Sequence, residues 1–208
     1  MKVLLTKKLG MTTLYEEGKA QNVTLLEVGQ SVVTGVRTMD RDGYLAVQVS
    51  LKKEHSKKSG QADVVKEKSE NKKESFIYCK EFRLTKETKF EKGQSLTVDQ
   101  FAEGEKVVVR SVSKGKGYQG VMKRHGFGGS PSSHGHRHDH RAPGSIGSAF
   151  PERVFKGRKM AGRMGHENIK KITKIVLIDK EAGLIALKGG IAGNNGAIVE
   201  DYEIEERR

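Results

Sequence analysis

The sequence predicts a mainly β protein: a small antiparallel β-barrel with a long irregular internal extension and a short helical insertion. Three observations support this fold class. Apolar side chains alternate with period two in many short segments, turn signals separate these segments, and residues 113–171 show no sustained periodicity of either kind. Alternating segments joined by tight turns are typical of small antiparallel barrels.

Eight segments carry the strand pattern, and residues 44–51 illustrate it. Every second side chain from Leu45 to Leu51 is apolar, which places these side chains on one face of a strand. Turn dipeptides such as Asp42-Gly43 and Asn195-Gly196 stand between the segments. The predicted strands are residues 22–28, 31–37, 44–51, 95–101, 106–113, 172–179, 183–188 and 197–204.

A polar insertion interrupts the barrel pattern at about residues 52–94. Its first part, Lys52–Glu74, holds eight Lys and five Asp or Glu. It is therefore expected to form an exposed helix or a flexible segment. Residues 64–78 are the most plausible helical part. We accordingly expect a barrel domain from residues 1–112 and 172–208 and a basic Gly/His-rich loop at residues 113–171.

Positive charge is concentrated in one segment. The net charge of the chain is +13, and Arg110–Lys174 holds fifteen Lys or Arg against three Asp or Glu, which leaves +1 for the rest. Six of the seven histidines lie in the same segment. Such a balance indicates a polyanionic partner, with nucleic acid as the first candidate and a membrane surface as the second.

The single cysteine and the N-terminal segment bear on the cellular compartment. One cysteine, Cys79, excludes a disulfide framework and favours the reducing cytosol. Its neighbours Ile77 and Tyr78 predict a half-buried structural thiol rather than a nucleophile. Residues 1–15 are expected to be neither a signal peptide nor a membrane span, because their apolar run is short.

Glycines open the basic loop in the segment SKGKGYQGVMKRHG. Their spacing at Gly115, Gly117 and Gly120 fits the G-x-G-x-x-G turn of a dinucleotide site, and a strand precedes it. That site also needs a following helix, which further glycines interrupt. The favoured interpretation is that small residues let the backbone approach phosphates while basic side chains neutralise them. The predicted RNA-binding residues here are Lys114, Lys116, Lys123, Arg124 and His125.

A run of alternating histidines follows, in SHGHRHDHR. Histidine clusters can bind zinc, but the run does not match the register of the His-x-His-x-Asp-His motif of metallo-hydrolases. A metal-dependent nuclease or hydrolase is therefore the alternative function. The favoured interpretation is that these side chains stack on bases and donate to phosphates. They are His134, His136, Arg137, His138, His140 and Arg141.

The segment RAPGSIGSAFPERVFKGRKMAGRMG reverses the chain direction at Pro143-Gly144 and Phe150-Pro151. Part of it resembles half a P-loop but lacks the Lys-Ser/Thr pair. Basic residues interleaved with aromatic ones suit a backbone threaded through RNA. The predicted RNA-binding residues here are Arg153, Lys156, Arg158, Lys159 and Arg163. The uncharged tip of the loop consists of Gly144, Ser145, Ile146, Gly147 and Ser148.

Together these stretches resemble the bacterial large-subunit ribosomal protein three family over essentially the full length. LLTKKLGMT is similar to the opening of that family, VFKGRKMAGRMG to its loop, and LIALKGGIAGNNGAIV to its last strands. The resemblance implies a barrel of the type seen in translation proteins. It also implies a long extension that runs through large-subunit rRNA, with its tip near the peptidyl-transferase centre.

The resemblance further implies a cytoplasmic ribosomal protein that acts early in subunit assembly beside neighbouring large-subunit proteins. It implies no catalytic residue, cofactor, metal or small-molecule substrate. Many bacterial members carry a methylated glutamine after GSIG, where this chain has Ser148, so the resemblance does not extend to that modification. A free RNA chaperone or regulatory RNA-binding protein is the remaining alternative.

Overall fold

The computed structural model describes residues 2–16, 18–52, 76–84 and 90–203. These residues form two compact units, one from Met1–Val112 with Ile169–Arg208 and one from Ser113–Asn168. The strands are, in chain order, β1 (Val3–Glu16), β2 (Lys19–Val28), β3 (Ser31–Arg37), β4 (Ala46–Lys52), β5 (Phe76–Arg83), β6 (Ser95–Leu96), β7 (Lys106–Val112), β8 (Tyr118–Gln119), β9 (Gly162–Arg163), β10 (Asn168–Asp179), β11 (Leu184–Lys188) and β12 (Ile198–Glu203). The helices are α1 (Met39–Asp42), a 3-10 turn (Val98–Gln100) and α2 (Val121–His125).

Within the described residues, six strands close an antiparallel barrel in the order β1-β12-β7-β10-β11-β2. The predicted mainly β fold class is therefore confirmed. Strand β1 pairs with β12, from Val3 opposite Tyr202 to Lys7 opposite Ile198. It also pairs with β2 through a register shift between Lys8 and Gly10. Such a bulge bends the strand and increases its twist, which suits the curvature of a closed barrel.

Alternating apolar side chains from these strands fill the barrel. Leu4, Leu26, Ile175 and Leu187 are almost fully buried in one cluster with their neighbours. Because such sites collapse only partly when a side chain is shortened, truncation of one of these leucines to alanine costs about 2–5 kcal/mol. The closed barrel is therefore the stable framework of the unit formed by Met1–Val112 and Ile169–Arg208.

A second sheet, in the order β5-β4-β3-β6, packs on the same core. Its strands β3 and β4 are connected through α1, which Gly43 ends in the left-handed conformation with φ 76°. The hydroxyl of Tyr78 on β5 donates to Glu200 on β12 over 2.9 Å. Lys80 lies 3.2 Å from the same carboxylate, so β5 is tied to the barrel by polar contacts as well as by packing.

Several predicted elements differ from the structure. β1 was not predicted, because its alternation breaks at the bulge beside Gly10. The insertion was expected to be partly helical at residues 64–78. Residues 64–75 lie outside the described ranges, and residues 76–78 instead begin β5, which pairs with β4.

Two further corrections concern residues 95–101 and Cys79. Only Ser95–Leu96 is strand, and the chain then turns, because Gln100 donates to the Thr97 carbonyl over 3.0 Å and Thr97 donates to Asp99 over 3.2 Å. Cys79 was expected to be half-buried but is exposed. It lies on β5, the edge strand of the second sheet, where its face is not covered.

Candidate nucleic-acid interface

The predicted loop residues 114–163 fall within the unit Ser113–Asn168, called here the cationic unit. Its two ends are joined by a short antiparallel pairing, called here the closing ladder. The Ser113 amide donates to the Glu167 carbonyl over 2.9 Å, and the Lys116 amide donates to the Met164 carbonyl over 2.9 Å. Strands β8 and β9 extend this pairing, with Tyr118 opposite Arg163.

The closing ladder requires glycine at position 165. Gly165 has φ 75°, a left-handed conformation that residues with a Cβ adopt only under strain. A Cβ at this position would also collide with the carbonyl oxygen of Lys114 on the opposite side. The ladder thereby joins the two segments that carry Lys114, Lys116 and Arg163, and all three side chains are exposed.

Helix α2 places three predicted residues, Lys123, Arg124 and His125, in its last turn. The Arg124 guanidinium donates to the Met160 carbonyl over 2.7 Å, and a ring nitrogen of His125 lies 3.1 Å from the same oxygen. These two side chains therefore hold the returning arm of the unit. Lys123 is exposed, and no carboxylate in the described part of the chain forms an ion pair with it.

The histidine run does not assemble a metal site. A ring nitrogen of His140 lies 3.0 Å from the Pro131 carbonyl, and the His140 carbonyl accepts the Ser130 amide over 3.2 Å. His134 has φ 61°, a left-handed conformation at the first histidine of the run. In the four described ranges, no group of three or more His, Cys, Asp or Glu is placed to hold a metal ion. Arg137, His138 and Arg141 lie exposed beside them.

The tip, residues 144–148, is exposed throughout and is held by its own backbone. The Ser145 hydroxyl donates to the Gly147 carbonyl over 3.1 Å, and the Arg158 guanidinium donates to the Ser145 carbonyl. Arg158 therefore links the returning arm to the tip, a contact that no sequence pattern signals. Arg153 lies over the ring of Phe155 at 5.8 Å, while Lys156 and Lys159 are exposed.

The cationic unit differs from an ordinary charged surface in its charge balance and in its lack of internal ion pairs. It holds eleven Lys or Arg and three Asp or Glu. All of its residues are described, and no ion pair is formed within it. Val121 is its one buried apolar side chain, and every residue from 143 to 160 is exposed. Its cations are therefore available to an external polyanion.

The geometry defines a class: a β-barrel protein that carries a separate, exposed and uncompensated cationic unit. None of the helices in the described part of the chain has the length and apolar character needed to cross a membrane. A family model described as ribosomal protein L3 matches residues 48–189. The chain belongs to this family, and as a member it is a structural constituent of the large ribosomal subunit rather than an enzyme.

Relatives from several bacteria cover almost the whole chain. A large ribosomal subunit protein uL3 of Thermobifida fusca is 43% identical over 205 residues, which span 96% of this chain and 93% of the relative. The protein of the same description from Geobacter metallireducens is 42% identical, with 99% of both chains covered. That of Thermosipho africanus is 41% identical, with 96% of both covered.

Proposed function

We propose that this protein binds large-subunit rRNA directly through the loop of residues 113–171, and that the loop enters the folded RNA. The observation that carries the proposal is the absence of any ion pair among the eleven cations of the fully described cationic unit. Cations without internal partners repel one another in the free protein. Phosphates remove that repulsion, and counterion release supplies the affinity.

The proposal includes the position of the tip. Residues 144–148 carry no charge although Arg141 and Arg153 flank them. Small side chains there reduce volume and let the backbone pack against bases. We propose that this tip approaches the peptidyl-transferase centre, as the sequence resemblance implies, and that the RNA there supplies the chemistry while the tip adjusts RNA positions.

We also propose an early role in subunit assembly and contacts with neighbouring large-subunit proteins. A cationic segment that gains order on RNA joins distant RNA segments as it becomes ordered. The unit formed by Met1–Val112 and Ile169–Arg208 is called here the barrel unit. Within it, Phe76 and Ile77 are 40% and 57% exposed on the edge strand β5. An exposed apolar edge strand of this kind suits a protein neighbour.

The salt dependence of rRNA binding tests the proposal. If about ten phosphates are neutralised, the slope of log affinity against log salt is about −7 to −9. Replacing Lys156, Arg158 and Lys159 together with Gln is expected to reduce the steepness by about 3, since each cation contributes about 1. Filter binding of the full chain to large-subunit rRNA at several salt concentrations measures both slopes.

A charge-matched variant separates a binding surface from net charge. Lys19, Arg41 and Lys92 are exposed cations of the barrel unit that lie apart from one another in sequence and have no ion pair in the described structure. Replacing these three with Gln, called here the control variant, removes the same charge. We expect the slope of the control variant to stay close to that of the unchanged protein. A slope near zero for the unchanged protein would contradict the proposal.

A further inference from the structure

We infer that the barrel unit carries a second RNA-binding surface, a row of three lysines on adjacent strands that binds the RNA phosphate backbone independently of the cationic unit. The inference rests on the proposed function, because it assumes that rRNA is the partner. The three residues, called here the lysine row, are Lys106 on β7, Lys174 on β10 and Lys188 on β11. None of them is among the predicted RNA-binding residues.

Strand pairing brings the lysine row together. The Ile175 amide donates to the Glu105 carbonyl over 2.9 Å, so Lys106 and Lys174 are the next residues on neighbouring strands. On the other side Ile175 pairs with Leu187, which makes Lys188 the next residue on β11. The three side chains line one open concavity of about 300 Å³, together with Lys171 and Ile172.

The arrangement is unfavourable for a protein without an anionic partner. Neighbouring strands are about 4.8 Å apart, and like charges placed opposite each other across strands destabilise a sheet. The three lysines are exposed, and no carboxylate in the described ranges pairs with them. A bound polyanion converts this repulsion into attraction.

Several other cations of the barrel unit are neutralised. Lys2 pairs with Glu105 at 2.8 Å, Arg37 with Asp42 at 2.9 Å, and Lys80 with Glu200 at 3.2 Å. Glu105 is adjacent to Lys106, yet its carboxylate is used by Lys2 and by the Ala102 amide. The lysine row therefore differs from the unpaired cations of the control variant, because its three uncompensated charges line one concavity.

The features around the row favour an RNA backbone over an acidic protein segment. Lys171, in the same concavity, donates to the Gly190 carbonyl over 2.8 Å, so one lysine is already fixed in place. A closed barrel wall is rigid, and its cations keep a set spacing without a loss of backbone entropy on binding. Ile172, which is 62% exposed in the concavity, offers an apolar contact to a sugar. Recognition of RNA helices by shape and backbone uses such contacts.

The experiment replaces Lys106, Lys174 and Lys188 together with Gln in the full chain. Filter binding to large-subunit rRNA is then measured across salt concentrations. We expect the slope to become less steep by about 3, with little dependence on RNA sequence, because each phosphate-binding lysine contributes about 1. The control variant, which removes the same charge, is expected to keep the original slope. Equal losses in the two variants would overturn the inference.

Two further measurements distinguish phosphate binding by the lysine row from a structural role and from binding of an acidic protein. Thermal unfolding of the free lysine-row variant is expected at the same or a higher temperature, because cross-strand repulsion is relieved. A lower unfolding temperature with an unchanged RNA slope would assign the row a structural role and overturn the inference. An unchanged RNA slope with weaker binding to poly-L-glutamate would assign it to an acidic protein partner and also overturn it.

Comparison with the cationic unit distinguishes failure of the inference from failure of the proposed function. If the Lys156, Arg158 and Lys159 variant loses slope and the lysine-row variant does not, the inference alone is wrong. If neither variant loses slope, the proposed function is wrong as well. If the losses of the two variants add in a combined variant, the two surfaces bind independently, because additivity is what sites that do not interact show.

Discussion

Asp201 carries a buried carboxyl group inside the barrel. One of its oxygens accepts the Thr6 hydroxyl over 2.7 Å, and the other is buried without a hydrogen-bond partner in the described structure. Burial is the main cause that raises its pKa to about 7, and the Thr6 hydrogen bond opposes the rise. The folded protein therefore holds a proton on Asp201 at pH values where the unfolded chain has released it.

This proton makes the stability of the barrel depend on pH. The raised pKa gives a contribution that is complete below the unfolded pKa and is lost as the pH rises through about 7. Between pH 5 and 8 the free energy of unfolding is expected to fall by about 3 kcal/mol. The Asp201→Asn variant is expected to lack this decrease. Urea unfolding at pH 5, 6, 7 and 8 checks it, and parallel pH profiles for the two proteins would contradict it.

At the scale of elements, the closing ladder and α2 decide the geometry of the cationic unit. The ladder depends on backbone hydrogen bonds between segments about fifty residues apart, such as Ser113 with Glu167. α2 is only five residues long and is held by Gly126, whose amide donates to the Met122 carbonyl over 2.8 Å. With Val121 as its one buried apolar side chain, the unit relies on these backbone contacts for its order.

A Gly165→Ala substitution is expected to open the closing ladder. The added Cβ collides with the Lys114 carbonyl and also meets left-handed strain of about 1–2 kcal/mol. Hydrogen exchange at the Lys116 and Met164 amides, which donate across the ladder over 2.9 and 3.0 Å, is therefore expected to accelerate.

The matched control for this substitution is Gly157→Ala. Gly157 has φ 83°, and nothing lies within 4 Å of the position of an added Cβ. It shares the strain but not the collision, so the exchange of the two ladder amides should not change. Equal acceleration in both variants would show that the Lys114 contact does not matter.

Sequence periodicity predicted those elements whose alternation is regular. β3 was predicted at its observed bounds, and β7 and β11 to within one residue at one end. β1 was missed because a bulge shifts its alternation, and β5 because it follows a charged insertion and is largely exposed. Local patterns report local burial, whereas β1 is fixed by pairing with both β2 and β12, and β5 by pairing with β4 across the charged insertion.

For the site, composition located the cations but not their contacts. The concentration of Lys and Arg and the shortage of Asp and Glu in residues 110–174 are properties of the sequence itself. The Arg124 contact with the Met160 carbonyl joins residues 36 positions apart, and its acceptor is a backbone atom that any residue supplies. The lysine row was missed for the same reason, since three separate strands contribute to it.

At the scale of the whole molecule, the two units differ in what holds them. The barrel unit has a continuous apolar core, whereas the cationic unit has one buried apolar side chain and a large excess of positive charge. Few internal contacts therefore offset the conformational entropy that the cationic unit loses when it becomes ordered. We expect its order to increase when RNA binds.

Limited digestion with trypsin tests this expectation. In the free protein, cleavage is expected first within residues 130–163, at Arg137, Arg141 and Arg153, which are all exposed. Saturating large-subunit rRNA is expected to protect these sites, while cleavage within the paired strands of the barrel remains slow in both states. Resistance of the three arginines in the free protein would contradict the prediction.

Pairing between β1 and β12 also determines when the barrel can close during synthesis of the chain. Thr6 meets Asp201, 195 positions later, so the barrel stays an open sheet until nearly all of the chain has been made. The cationic unit is complete before β10, β11 and β12 exist. A contact between residues so far apart in sequence forms slowly. The nascent cationic unit therefore has time to bind RNA before the barrel closes.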